Sequence, residues 1–320
     1  MKKHIKLYPL LATILLLPAC HKPVDIIVAT EPGLMLMCYP GDSDTTVIQL
    51  YKAVPVGKPC KALPFLESGD IRFTVNDVER NVTHAYYGHG CVPAGCWFVT
   101  GAMEPGDIIE VRATAENIPA LSARTVIPQV VKDYKSELVL QNGLESLKLS
   151  FPDNPSTYDY YGISVIEEKT LDGETSYSTL VPFHKQMQPL GGNISTDAPY
   201  ARLCFNGLYL TSTPTIEAWP DKYSTKDDHF EMQFKFKDER DEDRDEMPEE
   251  ASDGASYKYK ICIYSLSEEF FRYAKSRESL TGNEFTSMGL APMAVPFSNV
   301  DSGFGILAGW SMTQSDWITP

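Results

Sequence analysis

Residues 104–128 read EPGDIIEVRATAENIPALSARTVIP. Pro105 and Gly106 place a turn over Glu104 to Asp107. Beyond it Ile109, Val111 and Ala113 fall on one side of an extended chain, with Glu110, Arg112 and Thr114 on the other. That period of two belongs to a strand with one face in a core and the other in water. The stretch "LSARTVIP" follows Pro119 as the next strand.

Upstream the pattern repeats. "GDIRFTV" sets Ile71, Phe73 and Val75 on one face, and "TTVIQLY" carries Val47 and Tyr51 on either side of Gln49. No helical period appears before residue 130. Short strands separated by turn residues predict an immunoglobulin-like β-sandwich over residues 20–128, ending near Pro128. The charged stretch "QVVKDYKSE" leads into a second β-rich sandwich over 129–320. Its strands include "LKLSF" (Leu147, Leu149, Phe151 inward), "FEMQFKFK" (Phe230, Met232, Phe234, Phe236 inward) and "YKYKICIY" (Tyr257, Tyr259, Ile261, Ile263 inward). One helix is expected in "EEFFRYAKSRESL", with Ser265 as N-cap, Glu268 completing a capping box, and Phe270, Phe271 and Ala274 on the packed stripe. The predicted fold is therefore mostly β, two sandwiches with one packed helix.

Residues 1–19 differ in kind: Lys2, Lys3 and Lys6 precede the apolar run "LYPLLATILLLPA", too short for a stable membrane span. Leu17, Ala19 and Cys20 in "LPAC" stand at the offsets a lipoprotein signal peptidase reads, so Cys20 is expected to become the lipidated N-terminus. No later apolar run is long enough to cross a bilayer. Net charge is −15 over 320 residues, and cleavage would leave 25 basic residues against 43 acidic ones. Such a body repels a phosphate backbone, which excludes nucleic acid as partner.

Six cysteines remain after Cys20, an even number that suits oxidation in an exported chain. Cys91 and Cys96 bracket "CVPAGC", whose Pro93 and Gly95 suggest a tight disulfide-closed turn. Six cysteines allow fifteen connectivities, and Cys38 with Cys60 and Cys204 with Cys262 are the remaining pairs by proximity and symmetry. The surrounding segment "THAYYGHGCVPAGCW" also holds His84 and His89, but the cysteine spacing is wrong for zinc and a disulfide loop is the better reading. Tyr86, Tyr87, His89 and Trp97 form a candidate aromatic binding tip; the competing reading places half of them in the core. Between two strands, "DERDEDRDEMPEEASDG" (238–254) carries ten carboxylates. Asp241, Asp243 and Asp245 alternate as in a calcium loop, yet Glu246 stands where glycine is needed and Ser252 where glutamate is, so the run reads as a solvated insertion. No metal or cofactor is expected. Nucleophile elbow, zinc-protease and Walker motifs are missing and the six histidines are scattered, which argues against an enzyme.

Five marks in order resemble one family, the Bacteroidetes surface lipoproteins catalogued as domain of unknown function 4249. They are the lipobox; the Pro-Gly turn, strand and "SARTVIP" exit of the opening segment; Tyr160 and Tyr161 in "YDYYGISV"; the helix start "IYSLSEEFFRYAKS"; and "SNVDSGFGILAGW" (298–310) after a Pro-rich stretch. The family's passage before the penultimate strand is here expanded into the acidic run. Gly303, Gly305 and Gly309 could suggest a phosphate loop, but no helix can usefully follow so near the chain end, and a closing strand fits better. The resemblance implies a lipoprotein anchored in the outer membrane, displayed at the cell surface, that serves a TonB-dependent transporter as a non-enzymatic binding component. Its ligand, whether peptide, glycan or metal chelate, stays open. A structural or adhesive lipoprotein is the alternative, and a surface hydrolase the third.

Overall fold

The computed structural model describes residues 33–53, 66, 68–140, 144–182, 188–189, 201–203, 205, 216–221, 225–226, 228–236, 254–281 and 296–319. Residues 1–32 with Cys20 and the expected signal peptide, Cys60, Cys204 and residues 238–253 of the acidic run lie outside them.

The first sandwich comprises β1 (Leu34–Cys38), β2 (Thr45–Lys52), β3 (Asp70–Val75), β4 (Val78–Arg80), β5 (Thr83–Ala85), β6 (Cys96–Thr100), β7 (Ile108–Ala115) and β8 (Ile118–Val126). One sheet carries β1, β2, β6 and β5 side by side, the other β8, β7, β3 and β4, all neighbours antiparallel. The opening segment forms the β7–β8 hairpin, with Ile109, Val111 and Ala113 buried at 0–1% exposure. They meet Leu36, Ile48, Leu50, Phe73 and Val99 in one core. Turn chemistry fixes the register: Asn76 and Asp77 take φ of 50° and 65°, the left-handed pair that a two-residue hairpin needs.

The second sandwich runs through β9 (Lys135–Leu140), β10 (Leu144–Pro152), β11 (Tyr160–Leu171), β12 (Glu174–Leu180), β13 (Gln188–Pro189), β14 (Ala201–Leu203), β15 (Ile216–Pro220), β16 (Thr225–Lys226), β17 (His229–Lys235) and β18 (Ser256–Leu266). One sheet orders β13, β17, β10 and β9; the other orders β14, β15, β11 and β18. Leu147, Leu149, Phe151, Phe230, Met232 and Phe234 from the first face Tyr161, Ile163, Trp219, Ile261 and Ile263 from the second. Phe151 stacks on Phe230 at 4.3 Å.

Helix α1 (Glu268–Thr281) follows β18 directly. Its cap is Ser267, whose hydroxyl accepts the Phe270 N–H at 3.3 Å, and not Ser265, which still belongs to β18. The strand's own pairing with β11 holds Ser265 extended, so the helix starts two residues later than the capping-box pattern indicated. Phe270, Phe271 and Ala274 are buried as expected. They pack in a third core with Tyr39, Ile306 and Ala308 from the first sandwich's side and Tyr160, Ala218 and Leu266 from the second's.

The chain end stitches these units together. Strand β19 (Val300–Asp301) pairs with β8, β20 (Phe304–Leu307) pairs in parallel with β1, and β21 (Trp310–Gln314) pairs with β18. The sequence division at Pro128 assigned all of this to the second unit, yet β19 and β20 complete the two sheets of the first. Gly305, at φ 101°, lies where a Cβ would collide with the Leu36 carbonyl oxygen, and a Cβ on Gly309 would sit 2.5 Å from the Val126 oxygen. Asn299 locks the run by accepting the Leu307 N–H at 3.0 Å and donating to the Leu307 oxygen at 2.8 Å. Trp310 donates its indole N–H to the Tyr39 carbonyl at 3.1 Å.

Three substitutions test these contacts. Gly305→Ala should cost about 3 kcal/mol or more in chemical denaturation, because it combines a collision with left-handed backbone. Gly173→Ala, at φ 84° but with nothing within 4 Å of an added Cβ, should cost only about 1 kcal/mol. Ser267→Ala should cost about 1 kcal/mol through loss of the cap.

Candidate functional site

Strands β5 and β6 are joined by residues 86–95, folded as a small hairpin on the outer face of the first sandwich. His89 and Val92 exchange backbone hydrogen bonds at 3.0 and 2.9 Å, and Gly88 and Gly95 both donate to the Ala85 carbonyl, at 3.2 and 2.8 Å. Gly88, Gly90 and Gly95 take φ of 86°, 57° and 81°, conformations that glycine alone adopts without strain. Beneath the hairpin Val47, Ala85, Val92, Cys96 and Phe98 form a small separate core. The loop is thereby held rigid on a strand floor.

Of the four expected binding residues, three are exposed on this loop. Tyr86 is 68% exposed and Tyr87 wholly so. His89 lies parallel to Phe98 at 5.1 Å between ring centres. Trp97 is different: it faces the first core at 5% exposure, because its position in β6 alternates inward beside Val99. His84 stacks on Trp97 at 4.3 Å and meets Tyr86 edge-on at 3.8 Å, so it links the buried indole to the exposed tyrosine. The sequence reading named His84 in this segment but did not place it among the aromatic tip residues. The signal was the register, since His84 stands directly opposite Trp97 across β5 and β6. From Thr83 to Trp97 the chain contains no Asp, Glu, Lys or Arg, although 22% of its residues are charged. Such a surface suits a partner that offers apolar faces and hydrogen bonds rather than ion pairs.

The expected Cys91–Cys96 disulfide is absent: Cys96 is buried, Cys91 is exposed and both are free thiols. The His89–Val92 hairpin turns Cys91 outward at its tip, while Cys96 begins β6 with its side chain in the small core. Cys38 and Cys262 are likewise buried free thiols, and Cys60 and Cys204, the partners expected for them, lie outside the described residues. Cys38 points into the first core among apolar side chains. Burial pushes Cys96 and Cys262 each up to about 11 and Cys38 further, which keeps them as unreactive thiols. Of the four described cysteines, Cys91 alone should therefore react with a maleimide on the folded chain, read by peptide mass mapping, and the other three only after denaturation.

A second group was invisible in the sequence. Asp153 and Asp159, at the ends of the loop between β10 and β11, come together with Asp221 beyond β15, and one oxygen from each lies within 4.8 Å of the others. Among the described residues this is the group able to hold a metal. It borders a cavity of about 510 Å³ lined by Val131, Lys132, Asp153, Asp159, Tyr161 and Ser265, among others. A smaller hollow of about 430 Å³ lies on the outer face of the β8–β7–β3 sheet, where Arg72 and Arg124 are paired with Glu79 and Glu110 at 3.0 and 3.2 Å.

No helix among the described residues is long and apolar enough to cross a membrane. A search of curated proteins found no match. A family model described as "Domain of unknown function (DUF4249)" matches residues 21–316, nearly the whole length of the chain. The chain belongs to the family of domain of unknown function 4249.

Proposed function

We propose that this chain is a non-enzymatic binding component of a TonB-dependent nutrient-uptake system, anchored through lipidated Cys20 in the outer membrane and displayed at the cell surface. The observation that carries the reading is the 86–95 hairpin. It holds Tyr86, Tyr87 and His89 outward on a rigid floor, and its uncharged surface stands out on a strongly acidic body. The apolar faces of large aromatic side chains held exposed on an ordered loop are unfavourably hydrated, and a partner that covers them removes that cost. The leader and the lipobox supply the anchor, and the transporter is the partner such a lipoprotein would serve.

Copurification tests this. Tagged wild-type protein solubilised from outer membranes should carry a TonB-dependent barrel in stoichiometric amount. Tyr86→Ala with Tyr87→Ala should leave stability within about 0.5 kcal/mol, since both side chains are solvent-exposed, while partner recovery falls roughly tenfold or more. Recovery of the wild type alone, or in filaments, would contradict the uptake reading and favour a structural role. Undiminished recovery with the double variant would move the contact away from this loop.

A further inference from the structure

Strand β11 buries Val165 in the second core, while Tyr160 at its start turns the other way and stacks on Phe271 of helix α1 at 4.9 Å. Side chains alternate along a strand, so Glu168 shares the outward face with Tyr160. Beyond the helix that face continues over β12, β11 and β18, where Tyr177, Glu168 and Lys258 stand directly opposite one another. Trp317 lies one strand further on, because its neighbour Ile318 exchanges backbone hydrogen bonds with Tyr259 at 2.8 and 2.9 Å. Lys260, the next outward residue of β18, brings its Nζ to 4.7 Å from the Trp317 ring centre.

The distances fix how the two rings lie. Three strand spacings of about 4.8 Å put the Tyr177 and Trp317 backbones about 14 Å apart, yet their ring centres are 6.3 Å apart at 40°. Both side chains therefore lean toward each other along the sheet instead of standing up from it. Beneath them Glu168 is only 12% exposed and accepts a hydrogen bond from Lys258 at 2.8 Å. Tyr177 itself is 65% exposed and Trp317 37%, whereas Trp97, Trp219 and Trp310 are buried. Two residues along from Tyr177, Thr175, Thr170 and Ser256 line up across the same three strands, and the two threonine hydroxyls bond each other at 3.1 Å.

We propose that this face binds a neutral glycan, with Tyr177 and Trp317 stacking on the C–H face of a sugar ring and the row of Thr175, Thr170 and Ser256 bonding its hydroxyls. A broad aromatic surface beside hydroxyl donors and acceptors matches a ligand that has apolar faces and a hydroxylated rim. Charge selects an uncharged ligand. On a chain of net −15, the one carboxylate that β12, β11 and β18 present on this face is Glu168, and Lys258 neutralises it. A polyanion would meet the repulsion of the acidic body, and a cationic ligand would meet Lys258 and Lys260. The ion pair and the lysine against Trp317 hold the rings in place before a ligand arrives, which lowers the ordering entropy lost on binding. The site goes beyond the hairpin reading and is independent of it, since the two lie on different sandwiches.

The test uses the purified full chain and soluble neutral polysaccharides, namely dextran, laminarin, mannan and xyloglucan, each cast into a native gel. At least one should retard the protein, and the same polysaccharide in solution should change the emission of Trp317, the exposed tryptophan. Tyr177→Ala and Trp317→Ala should each weaken binding roughly tenfold or more while thermal unfolding stays cooperative. Tyr177→Phe, which keeps the ring, should retain binding, and Tyr86→Ala with Tyr87→Ala should leave it unchanged. Retardation by none of these polysaccharides, binding that survives both alanine variants, or its loss in the hairpin variant would overturn the assignment. So would a copurifying protein that is lost in Tyr177→Ala while no polysaccharide binds, which would make this face a protein contact.

Discussion

The backbone of Gly305 lies so close to that of Leu36 that no side chain fits between them, and most of the architecture depends on this approach. It lets β20 lie in parallel beside β1 and so places Ile306 and Ala308 on the outer face of the first sandwich. From there the chain steps across Gly309, whose N–H reaches the Thr125 hydroxyl at 3.1 Å and whose carbonyl accepts the Ser267 N–H at 2.9 Å. It then enters the second sandwich as β21. A run of fifteen residues thus closes both sheets of the first unit, caps the approach to α1 and edges a sheet of the second. Tyr39, Phe270 and Trp310 fill the space that the run encloses, and Phe205 packs edge-on against Trp310 at 5.3 Å.

This constraint bears on function because it makes one body of two sandwiches. The 86–95 hairpin sits on the β5–β6 edge of the sheet that β1 and β20 complete, so its aromatic tip is presented from a scaffold fixed by contacts at both chain ends. Pre-organisation of that kind reduces the ordering entropy lost on binding.

Much of the fold was legible where local chemistry and tertiary demand agree. Phe230, Met232 and Phe234 alternate in the sequence and are buried in the structure because a sandwich buries one face of each strand. Asp172 and Gly173, with φ of 52° and 84°, form the turn their types favour. The failures share a cause, which is position in space. Whether Trp97 faces core or solvent depends on the phase of β6 against its neighbours, which residue types do not encode. Cys91 and Cys96 are close in sequence, yet a hairpin and a strand direct them apart. Ser265 and Ser267 are equally good caps by type, and only the strand pairing of Ser265 decides between them. Asp153 and Asp221 are brought together by two loops separated by most of a domain, so no spacing could reveal them. "SNVDSGFGILAGW" was recognisable as a closing segment with glycines at crowded points; that it closes the first sandwich as well as the second required the sheet pairings.

The most direct test of the central claim is hydrogen exchange on a Trp310→Ala variant, which removes the indole from the shared core and its bond to the Tyr39 carbonyl. If the closing run unites the two sandwiches, amide protection should fall together in β1 and in β18, and the aromatic hairpin should lose protection with them. Loss confined to β18 and β21, with β1 and the hairpin protected as in the wild type, would contradict the account.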